Sequence, residues 1–460
     1  MKYADLLPEE YLKRMEKALG DEFKAFLSCY YQPPVKALRF NPRKARPETV
    51  EMLRKWWKLE PVPWCADGWY YEENELVRPG LSPYHDAGVF YIQEPSAMIT
   101  AEKAAIGPED IVLDLCAAPG GKSTQAAAKC KVLLSNEPIP GRARTLSSNI
   151  ERMGFDHVIV TSAYPDALAD CKGLRGFFTR VIVDAPCSGE GMMRKDETAI
   201  REWSPENVEK CIERQKDILE SAAVLVSPGG RLVYSTCTFE YGENEGQIKE
   251  FLEEHIEFHL LESETMYPHQ IRGEGHFCAV LEKTGDGFDG AAEPAAGLEK
   301  SRSGNKAGSA NANGASANAD NESAKSASGE REETGKILNQ LRKHLQKNKI
   351  HVLRCGVEPG ETVTDRRGRS WYEPSHAEAL AGVFGGDGRN CVNLKQAARV
   401  VADAYLKGNV IDLSVLAPDT YELHSEGGWL TVQFDGYPLG LGKLSGMQVK
   451  NHYPKGLRHL

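Results

Sequence analysis

Between residues 100 and 284 the chain alternates short apolar runs with stretches of helical spacing. The runs are Ile111 to Cys116, Val132 to Glu137, Val158 to Val160, Arg180 to Asp184, Gly230 to Tyr234 and Phe277 to Leu281. Between them, Ser123 to Lys129, Gly141 to Met153 and Pro205 to Val226 carry helical patterns. This alternation predicts an α/β fold, an open and mostly parallel sheet covered by helices on both faces. Ligands of such sheets sit at the carboxyl ends of the strands. Residues 1–100 differ, with Tyr11, Met15, Leu19, Phe23 and Phe26 at helical spacing and a compact run from Leu38 to Pro42, and predict a small α+β lobe. Near the other end, Ile337 to Leu345 and Lys395 to Leu406 read as helices. Trp429 to Phe434 and Tyr437 to Gly442 flank Asp435-Gly436, a strong hairpin signal that predicts a small barrel-like β module over 406–460.

Composition divides this picture further. Residues 285–334 are rich in Gly, Ala, Ser, Asn and Glu, with 311–320 the extreme, and such a segment buries too little apolar surface to offset chain entropy. It is expected to be a disordered linker between 101–284 and a basic helical and loop region at 335–405. With 460 residues the chain is long enough for about three domains of ~150 residues. No apolar run reaches the ~18 residues a bilayer span needs, and the first residues lack a secretory core, so a cytoplasmic protein is expected. The 11 cysteines include no C-x-x-C pair, which argues against a disulfide framework or a zinc site. A net charge of −10 is unlike a nucleic-acid binder, yet Arg342, Lys343, Lys347, Lys349, Arg354, Arg366, Arg367 and Arg369 form a basic stretch interrupted only by Glu358, Glu361 and Asp365. Taken alone, that stretch reads about equally well as a solvated face.

Candidate chemistry gathers at the strand ends. The loop from Asp114 through Cys116, Ala117, Ala118, Pro119, Gly120 and Gly121 to Lys122 joins a strand to a helix, and its glycines let backbone approach a polar ligand. It matches neither G-x-G-x-x-G nor a Walker loop, and a lone glycine turn is as often structural. Glu137 ends the next strand, where doubly wound nucleotide sites place a carboxylate for ribose hydroxyls. Asp184-Ala-Pro-Cys187 and Thr236-Cys237 close two further strands, so both thiols reach one rim. A free cysteine is often plain core, but these two stand in turns rich in Pro, Ser and Gly. Carbon 5 of cytosine is too weak a nucleophile to take a methyl group until a thiolate adds at carbon 6. An acid such as Asp184 at ring nitrogen 3 eases that addition, and the attacking thiol needs a nearby cation, with Lys122 the nearest by position.

The runs Asp114 to Lys122, Asp184 to Gly191 and Tyr234 to Thr238 resemble the motif set of the RNA 5-methylcytosine methyltransferases of the Sun/nucleolar-protein superfamily. Further likeness in Gly88 to Ala97, Met193 to Asp196, Arg272 to Phe277 and Glu373 to His376 resembles its bacterial RsmF branch, which acts on small-subunit ribosomal RNA. The resemblance implies a Rossmann-like core with a small N-terminal lobe and C-terminal RNA-binding domains ending in a PUA-like β-barrel. It implies S-adenosylmethionine held by Cys116 to Lys122, with Glu137 on its ribose, Arg142 nearby and Asp184 between cofactor and base. Cys237 would be the nucleophile and Cys187 would assist release, an order that rests on the family. It further implies an RNA partner, a monomer, no metal and no membrane. Transfer RNA as substrate, and a non-catalytic assembly factor, are the alternatives. After the third strand the family commonly places an acid or amide for the adenine amine; here Ser162 or Asp166 would have to serve, and the contact stays unassigned.

Overall fold

The computed structural model describes residues 3–285 and 317–459, with side chains from residue 329 onward in the second segment. Its N-terminal lobe is an antiparallel sheet of β1 (Ala37–Phe40), β2 (Glu60–Pro61), β3 (Gly68–Tyr70) and β4 (Phe90–Ile92), in the order β2-β3-β1-β4. Helices Glu9–Leu19, Phe23–Cys29 and Pro47–Trp57 accompany it. Leu53 and Trp57, four apart on one helix face, bury against Leu38, Phe40 and Phe90.

The central sheet contains β5 (Ile111–Asp114), β6 (Val132–Asn136), β7 (Val158–Ser162), β8 (Phe178–Asp184), β9 (Val226–Thr236), β10 (Phe258–Met266), β11 (His276–Lys283) and β12 (His351–Cys355), ordered β10-β11-β9-β8-β5-β6-β7-β12. β5 to β9 pair in parallel, while β10, β11 and β12 join antiparallel. Its strands read as continuous apolar runs because both faces are covered. On one face Leu113, Leu134, Ile159, Val181 and Leu232 meet Ile218, Leu219 and Ala222; on the other Val112, Leu133, Val158, Ile182 and Val233 meet Ala126, Leu146 and Ile150. The helix Pro205–Leu225 starts where Ser204 accepts the Asn207 N–H at 3.1 Å and proline fills the first turn.

The boundary drawn from composition at residue 334 has no counterpart in the packing. Residues 286–316 of the expected linker lie outside the described residues, but Ala317–Lys347 is one helix that begins inside the linker segment. Leu341 and Leu345 are fully buried against the central core. β12 then adds itself to β7, so the start of the expected RNA-binding region is an edge of the central sheet. The reason is long-range: a short apolar run satisfies an open sheet edge wherever it lies in sequence.

The last body is an open six-stranded sheet, β16-β20-β19-β18-β15-β17, made of β15 (Cys391–Leu394), β16 (Ile411–Asp412), β17 (Tyr421–His424), β18 (Gly428–Phe434), β19 (Tyr437–Ser445) and β20 (Gln448–Asn451). The Asp435-Gly436 turn has both residues at positive φ, 48° and 75°, as a two-residue hairpin requires. Val392, Leu430, Val432 and Phe434 share one core with Ala402, Tyr405 and the N-terminal lobe's Leu38, Leu53 and Trp57. Among the described residues no helix is long and apolar enough to cross a membrane.

Candidate active site

The order of the central strands reverses at β5, with β6 on one side and β8 on the other, and the expected site residues gather at the carboxyl ends there. Asp114, at the end of β5, is fully buried; its Oδ2 accepts the Ser123 hydroxyl at 2.6 Å, while Oδ1 has no partner. Burial, aided by the Asp184 charge, pushes its carboxyl up to about 7. The loop turns into the helix Gly121–Ala127 through Gly120 at φ +113°, a conformation that excludes side chains. Arg142 Nη2 donates to the Ala118 carbonyl at 3.0 Å and Asn149 Nδ2 to Pro119 at 2.9 Å, so the helix Pro140–Met153 pins the loop. From the lobe, Arg39 donates to Gly121 O at 3.2 Å and to Thr124 Oγ1 at 2.8 Å. Cys116 is held well above the ordinary thiol range by burial, then by Asp114, and stays a neutral thiol.

Glu137 sits one residue beyond β6, 1% exposed, its Oε1 accepting the Ile139 N–H at 2.9 Å and its Oε2 3.4 Å from Arg142 Nη1. Ser162 ends β7 on the same rim and donates to the Pro138 carbonyl at 3.3 Å. Asp166 is exposed and accepts the N–H of Ala167 at 2.8 Å.

The two thiols meet. Cys187 Sγ and Cys237 Sγ are 3.4 Å apart, both partly exposed. Their turns are cross-linked by Ser188 Oγ and Thr238 Oγ1 at 2.7 Å. Glu243 accepts the Ser188 N–H at 2.9 Å, and Gln215 donates both to that carboxylate at 2.8 Å and to the Pro186 carbonyl at 3.1 Å. Asn244 accepts from Thr236 Oγ1 at 2.6 Å and donates to Thr238 O at 3.0 Å. The hydrogen bond with Cys237, together with burial, holds Cys187 well above the ordinary thiol range. Cys187 therefore remains protonated, able to donate toward its neighbour.

Beside the thiols, Lys122 Nζ lies 2.8 Å from Asp184 Oδ2. Asp184 Oδ1 accepts the Ser235 hydroxyl at 3.0 Å and lies 3.7 Å from His276 Nε2. Burial pushes the Asp184 carboxyl up, but Lys122, His276 and Ser235 outweigh it and leave it below its usual value. Burial likewise opposes the Lys122 charge, and Asp184 more than restores it; the Cys237 thiol is close enough to feel that charge. His276, 2% exposed and 3.2 Å from Thr100 Oγ1, is pushed down to about 3 by burial and Lys122, so it is neutral at working pH.

All the residues expected from the motifs thus lie on one rim. Pattern reasoning missed His276, Glu243, Gln215 and Asn244. His276 stands within the Arg272 to Phe277 run, and Glu243 follows Cys237 by six residues, but nothing in their spacing shows that they face the site.

A sheet of this order, with the antiparallel β11 inserted beside β9, defines a Rossmann-like methyltransferase fold. Three family models match separate segments: the 16S rRNA methyltransferase RsmB/F model over residues 104–288, the N-terminal domain of 16S rRNA methyltransferase RsmF over 7–95, and the methyltransferase RsmF PUA domain over 398–459. In these three segments the chain is similar to RsmB/F-type 16S rRNA methyltransferases. It is 38% identical over 269 residues to the ribosomal RNA small subunit methyltransferase F of Vibrio parahaemolyticus, covering 56% of each chain. It is 36% identical over 305 residues to the protein of that name from an Enterobacter species, covering 60% of this chain and 63% of that one. The chain thus spans little more than half the length of the curated relatives it matches. Among solved structures, a methyltransferase homolog protein from Pyrococcus horikoshii superposes with a TM-score of 0.54 at 24% identity, over 61% of this chain and 97% of that one, a likeness of fold.

Proposed function

We propose that this protein is an S-adenosylmethionine-dependent RNA (cytosine-C5) methyltransferase that forms 5-methylcytosine in small-subunit (16S) ribosomal RNA. The observation that carries this reading is the thiol pair 3.4 Å apart beside the Lys122–Asp184 ion pair, at the carboxyl ends of β8 and β9. A protein-amine methyltransferase needs no thiol, whereas cytosine C5 chemistry needs one.

The residues suit the cofactor. Asp114, Asp184 and Glu137 put three carboxyl groups on one rim, and Asp114 keeps an unpartnered buried oxygen there. A ligand carrying a sulfonium and an ammonium would relieve that crowding. Cys116 to Lys122 would line it, Glu137 would accept its ribose hydroxyls and Arg142 would hold the Glu137 side chain in place. When bound, S-adenosylmethionine supplies an electrophilic methyl group.

The chain's own groups do the rest. Cys187, held protonated 3.4 Å from Cys237, can donate toward it, which supports Cys237 in the role the family resemblance implies, attack at cytosine carbon 6. Asp184, ionised and oriented by Lys122 and Ser235, can accept from the exocyclic amine of the base but cannot act as the acid expected at ring nitrogen 3; the Lys122 ammonium 2.8 Å away is the group that can offset negative charge on the ring. After transfer the C5–H and C6–S bonds must both break: Cys187 passes its proton to the departing Cys237 sulfur 3.4 Å away, and its thiolate takes the proton from C5. The target base must leave its stack to reach these partly buried thiols. The enzyme acts as a monomer, in the cytoplasm where ribosomal RNA is assembled.

The test is nucleoside mass spectrometry of small-subunit and transfer RNA from cells lacking the protein, after incubation with purified enzyme and labelled S-adenosylmethionine. Label in 5-methylcytidine of the small-subunit pool supports the proposal. Label only in transfer RNA keeps the chemistry and refutes the substrate.

A further inference from the structure

Residues 361–373 form a two-stranded sheet of their own, β13 (Glu361–Thr364) and β14 (Ser370–Glu373), paired Thr362 with Tyr372 and Val363 with Trp371. They lie outside all three segments that the family models match. A lone hairpin is marginal in water, so this one is anchored at its base. The Tyr372 hydroxyl donates to Glu378 at 2.5 Å and accepts the Gly360 N–H at 3.0 Å, and Ser375 closes a capping box with Glu378 on the helix His376–Leu380.

Its far end carries a different chemistry. Asp365 organises the tip, accepting the Arg367 N–H at 2.8 Å, the Arg369 N–H at 3.0 Å and Arg369 Nε at 2.8 Å, while Gly368 turns the chain at φ +78°. Arg366 and Arg367 are thereby left exposed, with no ion pair among the described residues. Behind them Trp371 is 39% exposed, its indole N–H tied to Glu373 at 2.8 Å, so the ring is fixed yet open to solvent. A chain of net charge −10 that gathers three arginines against one aspartate at the tip of an anchored projection, with Glu361 and Glu373 kept at its base, offers a local match to a polyanion. The fixed aromatic behind them favours one whose repeating units carry π-faces.

We infer that the hairpin Glu361–Glu373 is an RNA-docking finger: Arg366 and Arg367 contact phosphates of an unpaired strand, and Trp371 stacks on one of its bases. This rests on the proposed RNA substrate and adds the place where that substrate is gripped.

The test uses the full chain and a fluorescein-labelled unpaired RNA of about 20 nucleotides, with binding read by anisotropy across a salt series. The pair Arg366→Ala/Arg367→Ala should weaken binding several-fold and lower the salt slope by roughly 1.5, while Arg366→Lys/Arg367→Lys restores the slope. Trp371→Ala should weaken binding roughly tenfold with the slope unchanged, and Trp371→Phe should retain most affinity. Unaltered affinity and slope in both alanine variants, or no RNA binding by the natural chain, overturns the finger and hands the arginines to an acidic protein surface. Methyl transfer is assayed separately. Finger-dependent RNA binding without any 5-methylcytidine would sink the proposed function and leave the finger standing.

Discussion

The rim of the candidate site and the C-terminal segment are built from opposite kinds of information. At the rim Asp114 and Asp184 end strands, Glu137 and Cys237 stand one residue beyond theirs, Cys187 three, and Lys122 in the first turn of the helix that follows β5, so local motifs carry both chemistry and placement. Lys122 and Asp184 meet because β5 and β8 are neighbours. The C-terminal segment is placed by contacts that its own sequence does not announce. Its helix buries Leu341 and Leu345 under the central sheet, β12 caps that sheet, and the terminal sheet completes the core of the first lobe. A site can therefore be legible where the domain boundary around it is not.

The harshest way to break this comparison is to delete residues 336–460. Read as an appended RNA-binding tail, the segment should be removable with S-adenosylmethionine binding intact. The structure predicts instead that its loss exposes the β7 edge and the apolar faces of Leu38, Leu53 and Trp57, leaving an insoluble or unfolded product. A soluble truncated protein with normal cofactor affinity by calorimetry would return the tail to the status of an appendage. A milder variant sharpens the point. Phe434→Ala, at a fully buried site of the shared core, should cost about 3–5 kcal/mol. Its loss should also speed hydrogen exchange in the distant β1 strand, Ala37–Phe40.

At the rim, single atoms matter more than bulk. Cys237→Ala should lower methyl transfer below detection while cofactor affinity stays within a factor of about two, since no cofactor contact is assigned to that thiol. Cys187→Ala should instead trap RNA on Cys237, seen as a shifted band on a denaturing gel. An RNA adduct trapped by Cys237→Ala, with none formed by Cys187→Ala, would exchange the two roles.

Much of the fold could be read from residues 100–284, where the alternating runs and the glycine loop fall where their patterns place them, and from the Asp435-Gly436 turn near the other end. What stayed hidden shares one property. His276 reaches Asp184 only because β11 inserts antiparallel beside β9, and Glu243 reaches Ser188 only because the turn after Cys237 folds back over Cys187. Neither relation leaves a periodicity in the chain. The helix Ala317–Lys347 was masked by its polar composition, since only its last turns carry buried leucines.

The smallest expected effect tests whether the rim is tuned electrostatically as well as shaped. Asp114 is raised to about 7 by burial, so at that pH about half of the molecules carry a proton there. Because its folded value exceeds the ordinary carboxylate value, the ionised form costs stability. That cost is absent below pH ~4 and grows as pH rises toward 7. A cationic ligand beside the carboxylate reverses the balance: binding favours ionisation and releases up to one proton near pH 7. S-adenosylmethionine affinity should therefore fall as pH drops below 7, by at most about tenfold per unit. Calorimetry in two buffers of different ionisation enthalpy would count the protons released. Asp114→Asn should abolish the release and flatten the profile. His276, already neutral down to about pH 3, cannot supply a substitute titration in that window. A profile that survives Asp114→Asn unchanged would place the titrating group elsewhere and leave the unpartnered oxygen at the end of β5 without a role in holding the cofactor.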